Sequence, residues 1–151
     1  MSSATRAYKA IVDHLNAHNF KFTQDDENLV IKFTVQGEDL PQPTVVRVDP
    51  NRDIVQFVSP LPGNFPSDKL VDAALAVAAA NHGMIEGGFQ LDLEDGSIHF
   101  NASQSFAGTE LNDEVINYLF SLVFQVTDMY NDKFFMLSKG MITLEQLIDS
   151  L

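Results

Sequence analysis

The sequence predicts an α+β fold in which helices pack on a twisted antiparallel sheet. Apolar residues recur at helical spacing near both ends of the chain, and between residues 20 and 59 they alternate with polar residues as they do in strands. Turn-forming pairs such as Asp95-Gly96 separate short apolar segments. The predicted order of elements is α-β-β-β-β-α-β-β-α-α, and residues 1–151 are expected to form one domain.

The first half of the chain is predicted to hold a helix followed by a four-stranded antiparallel meander. Ser2 and Ser3 are of a residue type that caps helix N-termini. From Phe20 the apolar period becomes two, an acidic turn occupies residues 25–28, and residues 37–43 are predicted to be a loop. The apolar positions of the helix are Tyr8, Ile11, Val12 and Leu15, and those on one face of the second strand are Leu29, Ile31, Phe33 and Val35.

A second helix is predicted after the fourth strand. Pro60, Pro62 and Pro66 cannot donate hydrogen bonds to a β-ladder, so they end that strand. Ser67 is predicted to cap the helix, and Gly83 is predicted to end it. The alanines of this helix allow it to approach a sheet closely.

A hairpin and a short terminal helix have clear local signals. Asp95-Gly96 supplies the positive φ that a tight turn needs, so residues 89–93 and 98–102 are predicted to pair. Gly87-Gly88 is interpreted as a bulge or a tight entry to that hairpin. Near the end of the chain, Thr143 and Gln146 have the spacing of a capping box that opens a helix.

A long, almost wholly apolar helix is predicted to begin near Asp113. Asn112 is its expected N-cap, and Leu111 and Ile116 bracket the cap as a hydrophobic staple. Because this helix has no broad polar face, other parts of the chain or a second subunit must cover more than one side of it. We therefore include a homodimer in the prediction. The predicted partner or dimer interface consists of Tyr118, Leu122, Phe124, Phe134, Phe135 and Leu147.

Four segments together resemble the YbjN-like family, whose fold is similar to that of type III secretion chaperones. The resemblance covers residues 20–137 and implies a twisted antiparallel sheet packed by helices, often dimeric, with no catalytic residues to carry over. The family has been labelled as sensory-transduction regulators. The terminal helix and the histidine pair described below have no counterpart in it. The four segments are Ile54–Pro62 (IVQFVSPLP), Leu70–Asn81, Phe89–Phe100 (FQLDLEDGSIHF) and Asn112–Tyr130.

The composition excludes several classes of function. The chain of 151 residues is 45% hydrophobic and contains twelve Phe, which is enough for a core without staples. It contains no cysteine, which excludes disulfides, thiolate catalysis and cysteine-ligated metals. Its formal net charge of -12 repels phosphate backbones and anionic lipid heads, so neither nucleic acid nor a membrane is an expected partner. This acidity either maintains solubility or favours basic partners.

The sequence carries no segment that predicts secretion or membrane insertion. Arg6 and Lys9 are not followed by the apolar region of a signal peptide. The two most apolar stretches, residues 70–80 and 115–126, are too short to span a bilayer and contain polar interruptions. We expect a cytoplasmic protein.

Two groups of polar residues have part of the pattern of a metal site. His14 and His18 stand four residues apart on the first helix and would project side by side, as zinc or nickel ligands can. Two ligands do not make a site, and a third from His82, His99 or the acidic turn cannot be placed from sequence. Solvated surface histidines are therefore the simpler interpretation, and the prediction includes no cofactor or metal. The second group, Asp92, Glu94 and Asp95, departs from the spacing of a calcium loop at Gly96.

The sequence favours protein binding over catalysis. It contains no G-x-S-x-G elbow and no phosphate-binding glycine loop. Acid–base catalysis by paired carboxylates needs one buried member, whereas the acidic residues of this sequence crowd turns and helix starts. We therefore predict a non-enzymatic protein-binding module, chaperone-like or regulatory, that holds a segment of a partner polypeptide. The alternative is a small-molecule or metal-responsive regulator, which rests on His14 and His18.

Overall fold

The computed structural model describes residues 1–151 as a six-stranded antiparallel sheet with four α-helices. The order across the sheet is β1-β2-β3-β4-β6-β5. The predicted fold class and element order are confirmed. The helices are α1 (Ser3–Ala17), α2 (Leu70–Asn81), α3 (Asp113–Ser138) and α4 (Leu144–Asp149), and the strands are β1 (Phe22–Asp25), β2 (Val30–Gln36), β3 (Pro41–Asp49), β4 (Ile54–Pro60), β5 (Gly88–Leu91) and β6 (Ile98–Ser105).

One face of the sheet is covered by helices and the other is open. Alternate residues of the strands, such as Ile31, Val46 and Phe57, are fully buried on what we call the inner face. They form one core with buried residues of the helices, including Leu15 of α1 and Ile116 of α3. We call the opposite side, to which residues such as Lys32 and Arg47 point, the outer face.

The core is centred on Phe120 of α3. Its ring lies 4.9 Å from that of Phe57 in an edge-on arrangement, 5.4 Å from Phe33 and 5.8 Å from Phe124. The ring of His14 stacks on it at 5.3 Å. Aromatic pairs at such distances stabilise a core beyond the area they bury. This cluster joins α1, α3 and the middle of the sheet.

Two predicted boundaries before α2 are wrong. β3 begins at Pro41 rather than after residue 43, and it pairs there only with β2 because pairing with β4 starts at Val45. A proline lacking its N–H is tolerated where one side of a strand has no ladder partner. Ser67 does not cap α2 but begins a short 3-10 turn, and no side chain caps the helix.

Two elements after α2 also have bounds that differ from those expected from the sequence. The β5–β6 connection is a six-residue loop, and Leu93 lies in that loop and not in a strand. Helix α3 continues past Tyr130 to Ser138, because no Gly or Pro interrupts it before Gly140. The predicted N-caps of the other helices are confirmed, since the side chains of Ser2, Asn112 and Thr143 each accept the expected backbone hydrogen bond.

Candidate protein-binding surface

Helix α3 presents a stripe of four apolar residues, interrupted by the exposed Gln125, on the side that faces away from the sheet. Its buried residues, such as Ile116 and Val123, point to the inner face of the sheet. The residues of the stripe are separated by four or seven positions, so they share the opposite side of the helix. Tyr118 is 51% exposed and Met129 is 58% exposed. This α3 stripe consists of Tyr118, Leu122, Met129 and Met136.

Helix α2 has a second uncovered apolar face. Its fully buried residues are alanines, which allow a close approach to its neighbours, and Val77 packs half-buried beside them. On the other side, Val71 is 73% exposed and Leu75 is 51% exposed. The spacing of these residues again places them on one side of the helix. This α2 stripe consists of Val71, Ala74, Leu75 and Ala78.

Helices α2 and α3 run alongside each other in opposite directions. At one end, Nζ of Lys69 lies 3.5 Å from the carbonyl oxygen of Leu137, which accepts its hydrogen bond. At the other end, the hydroxyl of Tyr118 donates to Oε1 of Glu86 at 2.6 Å. This hydrogen bond to Glu86 raises the pKa of Tyr118. The two stripes therefore lie on neighbouring helices.

The structure distributes the predicted interface residues between surface and core. Tyr118 is exposed, and Leu122, Phe124 and Phe135 are half-buried. Phe134 and Leu147 are only 2% and 1% exposed, because they pack within this chain's own core. Phe124 belongs to the aromatic cluster around Phe120, and Lys139 lies over the ring of Phe135.

Sequence reasoning missed Val71, Leu75 and Met129 as surface residues. A sequence signal for this surface exists in α2, because apolar residues occur all round that helix, as they do in α3. An all-round apolar helix indicates that a second side needs cover. The pattern does not indicate which side of the helix is covered by other parts of the same chain and which side is left exposed.

The histidine pair lies in an acidic crevice between α1 and the start of α3. The crevice has a volume of about 490 Å³. Nδ1 of His18 donates to the carbonyl oxygen of His14 at 2.9 Å, and the two rings are 4.3 Å apart. Nδ1 of His14 is 4.0 Å from Oδ1 of Asp113. The crevice is lined by Asp13, His14, Ala17, His18, Asp113, Glu114 and Asn117.

Burial disfavours the charged form of His14. Because its ring is buried against Phe120, desolvation lowers the pKa of His14, and the neighbouring His18 lowers it further, while Asp113 acts in the opposite direction. Neither His82 nor His99 reaches this crevice. No group of three or more His, Asp or Glu side chains is arranged to hold a metal ion.

The acidic residues of the β5–β6 loop bind the loop's own backbone. Oδ1 of Asp92 accepts a hydrogen bond from the N–H of Glu94, and Oδ1 of Asp95 accepts one from the N–H of Ser97, both at 2.8 Å. The interaction with Ser97 lowers the pKa of Asp95. These carboxylates stabilise the turn of this loop, and Asp92 lies in the loop although residues 89–93 were predicted to be a strand.

Comparison with known proteins identifies the fold. No family model and no curated protein matches the sequence. The crystal structure of YbjN from E. coli matches with a TM-score of 0.64 at 11% identity, over 84% of this chain and 89% of that one. A chain of the ExsC-ExsE complex matches with a TM-score of 0.63 at 10% identity, over 87% and 96%. A chain of the HopA1-SchA chaperone-effector complex matches with a TM-score of 0.52 at 15% identity, over 93% and 96%.

Two further findings bear on the class of protein. No helix of the chain combines the length and apolar character that a membrane span requires. Sequence identities of 10–15% with the solved structures show the fold alone. The chain has a YbjN-like fold, as the resemblance implied, and a chain of the ExsC-ExsE complex and a chain of the HopA1-SchA chaperone-effector complex have a similar fold.

Proposed function

We propose that this chain is a non-enzymatic polypeptide-binding module, chaperone-like or regulatory, which acts as a homodimer and holds a segment of a partner polypeptide. The observation that carries the proposal is the uncovered apolar surface of α3 and α2. The fold is compatible with it, because two of the similar structures are complexes of two proteins. Fold likeness alone does not assign a function.

The α3 stripe suits a partner segment. Methionine is flexible and polarisable, so it adapts to irregular apolar surfaces, and tyrosine combines a large apolar ring with a polar tip. Both residue types are enriched in protein interfaces. Tyr118 and Met129 are each more than half exposed, so they can lose much water-accessible area on binding. Burial of such area contributes about 25 cal/mol per Å².

The α2 stripe suits a second copy of the chain. Ala74 and Ala78 are small, so two α2 helices can approach closely, and Val71 and Leu75 supply apolar contacts. A twofold axis places the same patch of both subunits against each other, which requires a self-complementary surface. A uniformly apolar stripe without charged residues meets that requirement.

Affinity capture with point variants tests the partner-binding part of the proposal. The intact chain is used to capture proteins from a lysate of its host, and bound proteins are identified by mass spectrometry. We expect Met129→Asp to abolish capture of the dominant partner without changing the circular-dichroism spectrum. Leu93→Asp is the matched control, because Leu93 is equally apolar and 66% exposed but lies in the β5–β6 loop.

The outcomes separate binding from folding. Capture that survives in Met129→Asp would exclude the α3 stripe as the binding surface. Equal loss in Leu93→Asp would show that added charge, and not the stripe, is responsible. Failure to enrich any protein with the intact chain would contradict the partner-binding function.

A further inference from the structure

The outer face of the sheet carries free cations in a chain of strong negative charge. The sequence has nine Lys and Arg residues against 21 Asp and Glu residues. Lys32 of β2 and Arg47 of β3 both point to the outer face and are exposed. Lys21 lies beside them, just before β1. A third of the basic residues are therefore gathered at one part of the surface.

Strand register brings Lys32 and Arg47 close together. Lys32 pairs with Val45 across the β2–β3 ladder, and Arg47 lies two residues further along β3. Side chains in this diagonal relation share a face of the sheet, with Cα atoms about 7–8 Å apart. The two cations can therefore contact one ligand segment together.

None of these three cations forms an ion pair with a carboxylate. The ion pairs of the chain join Arg6 to Glu110, His14 to Asp113 and Arg52 to Asp49, and none involves Lys21, Lys32 or Arg47. Two acids, Asp25 and Asp49, share the outer face with these cations and are held in turns of the chain. Hydrogen bonds from Asn28 lower the pKa of Asp25, and the nearby charge of Lys32 lowers it further. Asp25 accepts hydrogen bonds from Asn28, and Asp49 accepts them from the N–H groups of residues 51 and 52.

Apolar residues lie next to the cations. Val45 pairs with Val58 of β4, and both are half-buried although no helix covers them. A shallow depression of about 520 Å³ runs along this part of the face, with Lys21, Lys32, Thr34, Pro43 and Val45 in its lining. Antiparallel sheets often have one solvated face, so exposure alone indicates nothing. The free cations beside apolar residues distinguish this region.

We propose that the outer face binds an acidic, partly apolar segment of a partner polypeptide, with Lys32 and Arg47 contacting its carboxylates and Val45 and Val58 its apolar side chains. This inference rests on the proposed function and specifies the chemistry of the partner. It is opposite to the basic partner that the net charge favours. At physiological salt, charges beyond about 8 Å are largely screened, so the acids away from the outer face contribute little there. Asp25 and Asp49 are the carboxylates that lie close to these cations, and three cations on this face outnumber them.

A phosphate polymer fits this face less well. Such a ligand presents many closely spaced negative charges, and its affinity depends on how many of them the protein neutralises. Three cations neutralise few of these charges, and the net charge of -12 opposes the approach of a long polyanion. An acidic polypeptide segment has a lower charge density and also offers apolar side chains.

Selection from a phage-displayed library of random dodecapeptides tests the proposal with the full chain. We expect the enriched peptides to combine acidic with apolar residues. Their affinity should fall at least about tenfold in the double variant Lys32→Glu/Arg47→Glu. The control is Lys9→Glu/Lys139→Glu, which changes the net charge equally at exposed sites away from the outer face and should leave the affinity within about twofold.

Each outcome supports or overturns the inference. Enrichment of neutral or basic peptides would overturn it while leaving the polypeptide-binding function intact, and a library without enriched peptides would contradict both. Equal loss of affinity in the two double variants would show a general charge effect. Tighter binding of oligothymidylate or of anionic phosphatidylserine vesicles, with the same dependence on Lys32 and Arg47, would reassign the face to phosphate ligands.

Discussion

The side chain of Asn81, the last residue of α2, makes two hydrogen bonds with the backbone of Phe89 in the edge strand β5. The N–H of Phe89 donates to Oδ1 of Asn81 at 2.8 Å, and Nδ2 of Asn81 donates to the carbonyl oxygen of Phe89 at 3.0 Å. The amide thus satisfies backbone groups that an added strand would otherwise use. No such cover exists on the other edge of the sheet, where β1 pairs only with β2.

Replacement of Asn81 by alanine tests this protection of the β5 edge. Loss of two partly buried hydrogen bonds should lower the free energy of unfolding by about 1–3 kcal/mol. Urea denaturation measures this change. The control is Asn16→Ala, because Asn16 is exposed on α1 and its side chain makes no hydrogen bond. Equal effects of the two substitutions would contradict the assigned role of Asn81.

Gly96→Ala is expected to be strongly destabilising for two separable reasons. Gly96 has a φ of +72°, which costs an alanine about 1–2 kcal/mol. A Cβ atom there would also collide with the carbonyl oxygen of Phe65, whose N–H donates to Gly96 at 2.8 Å. Gly108 has a φ of +70° and open space around it, so Gly108→Ala isolates the first effect.

The difference between the two glycine variants measures the steric contact. Gly96→Ala should cost roughly 2–3 kcal/mol more than Gly108→Ala in chemical denaturation. Similar costs would mean that the loop and the segment at Phe65 move apart freely, which would contradict the close approach.

Phe120→Ala tests the centre of the aromatic cluster. Removing this buried ring should lower the free energy of unfolding by about 3–5 kcal/mol, because the cavity would lie among Phe33, Phe57 and Phe124. Leu93→Ala, at an exposed position, should change it by no more than about 0.5 kcal/mol. A loss from Phe120→Ala as small as that of the control would show that the helix and the sheet are not coupled through this ring.

Acid should destabilise the protein through His14. Burial lowers the pKa of His14 in the folded state below the value of about 6.5 in the unfolded chain. The unfolded state therefore binds more protons in the pH window just below 6.5. The contribution of neutral His14 to the free energy of unfolding is complete above about pH 6.5, and it is lost as the pH falls through the pKa of His14 in the folded state. His99, whose pKa burial also lowers, contributes in the same direction.

Variants separate His14 from the other titrating groups. The difference in unfolding free energy between about pH 7.5 and about pH 5.5 should shrink in His14→Gln. It should stay as in the parent chain in His82→Gln, where the replaced ring is exposed. A His14→Gln chain with the full pH dependence would show that other groups cause the acid sensitivity.

Local signals in the sequence determined much of the fold. The caps at Asn112 and Thr143 and the period-two pattern of β2 lie within a few residues of one another, so they can be recognised without tertiary structure. The start of β3 at Pro41 could not be predicted in this way. Pro41 and Pro43 can belong to β3 because they pair with β2 and have no partner in β4, whose pairing with β3 starts at Val45. That relation arises only when the strands are paired.

The candidate binding surfaces were less predictable, because they depend on which faces the chain covers itself. Phe134 and Val71 are both apolar residues of helices, yet the first is in the core and the second is 73% exposed. Lys32 and Arg47 are fifteen positions apart in sequence and become neighbours only through the β2–β3 register. Exposure and clustering are properties of the packed structure.

The most direct test of the account is the mass of the purified chain in solution, measured by multi-angle light scattering after size-exclusion chromatography. The central claim is that the uncovered apolar surfaces of the helices bind another polypeptide. A purified sample always contains further copies of the chain, so it tests this claim without knowledge of another partner. We predict twice the 16.8 kDa of one chain for the parent, and 16.8 kDa for a folded Leu75→Asp variant. A parent chain of 16.8 kDa across the micromolar range, or a Leu75→Asp chain that stays dimeric, would contradict it.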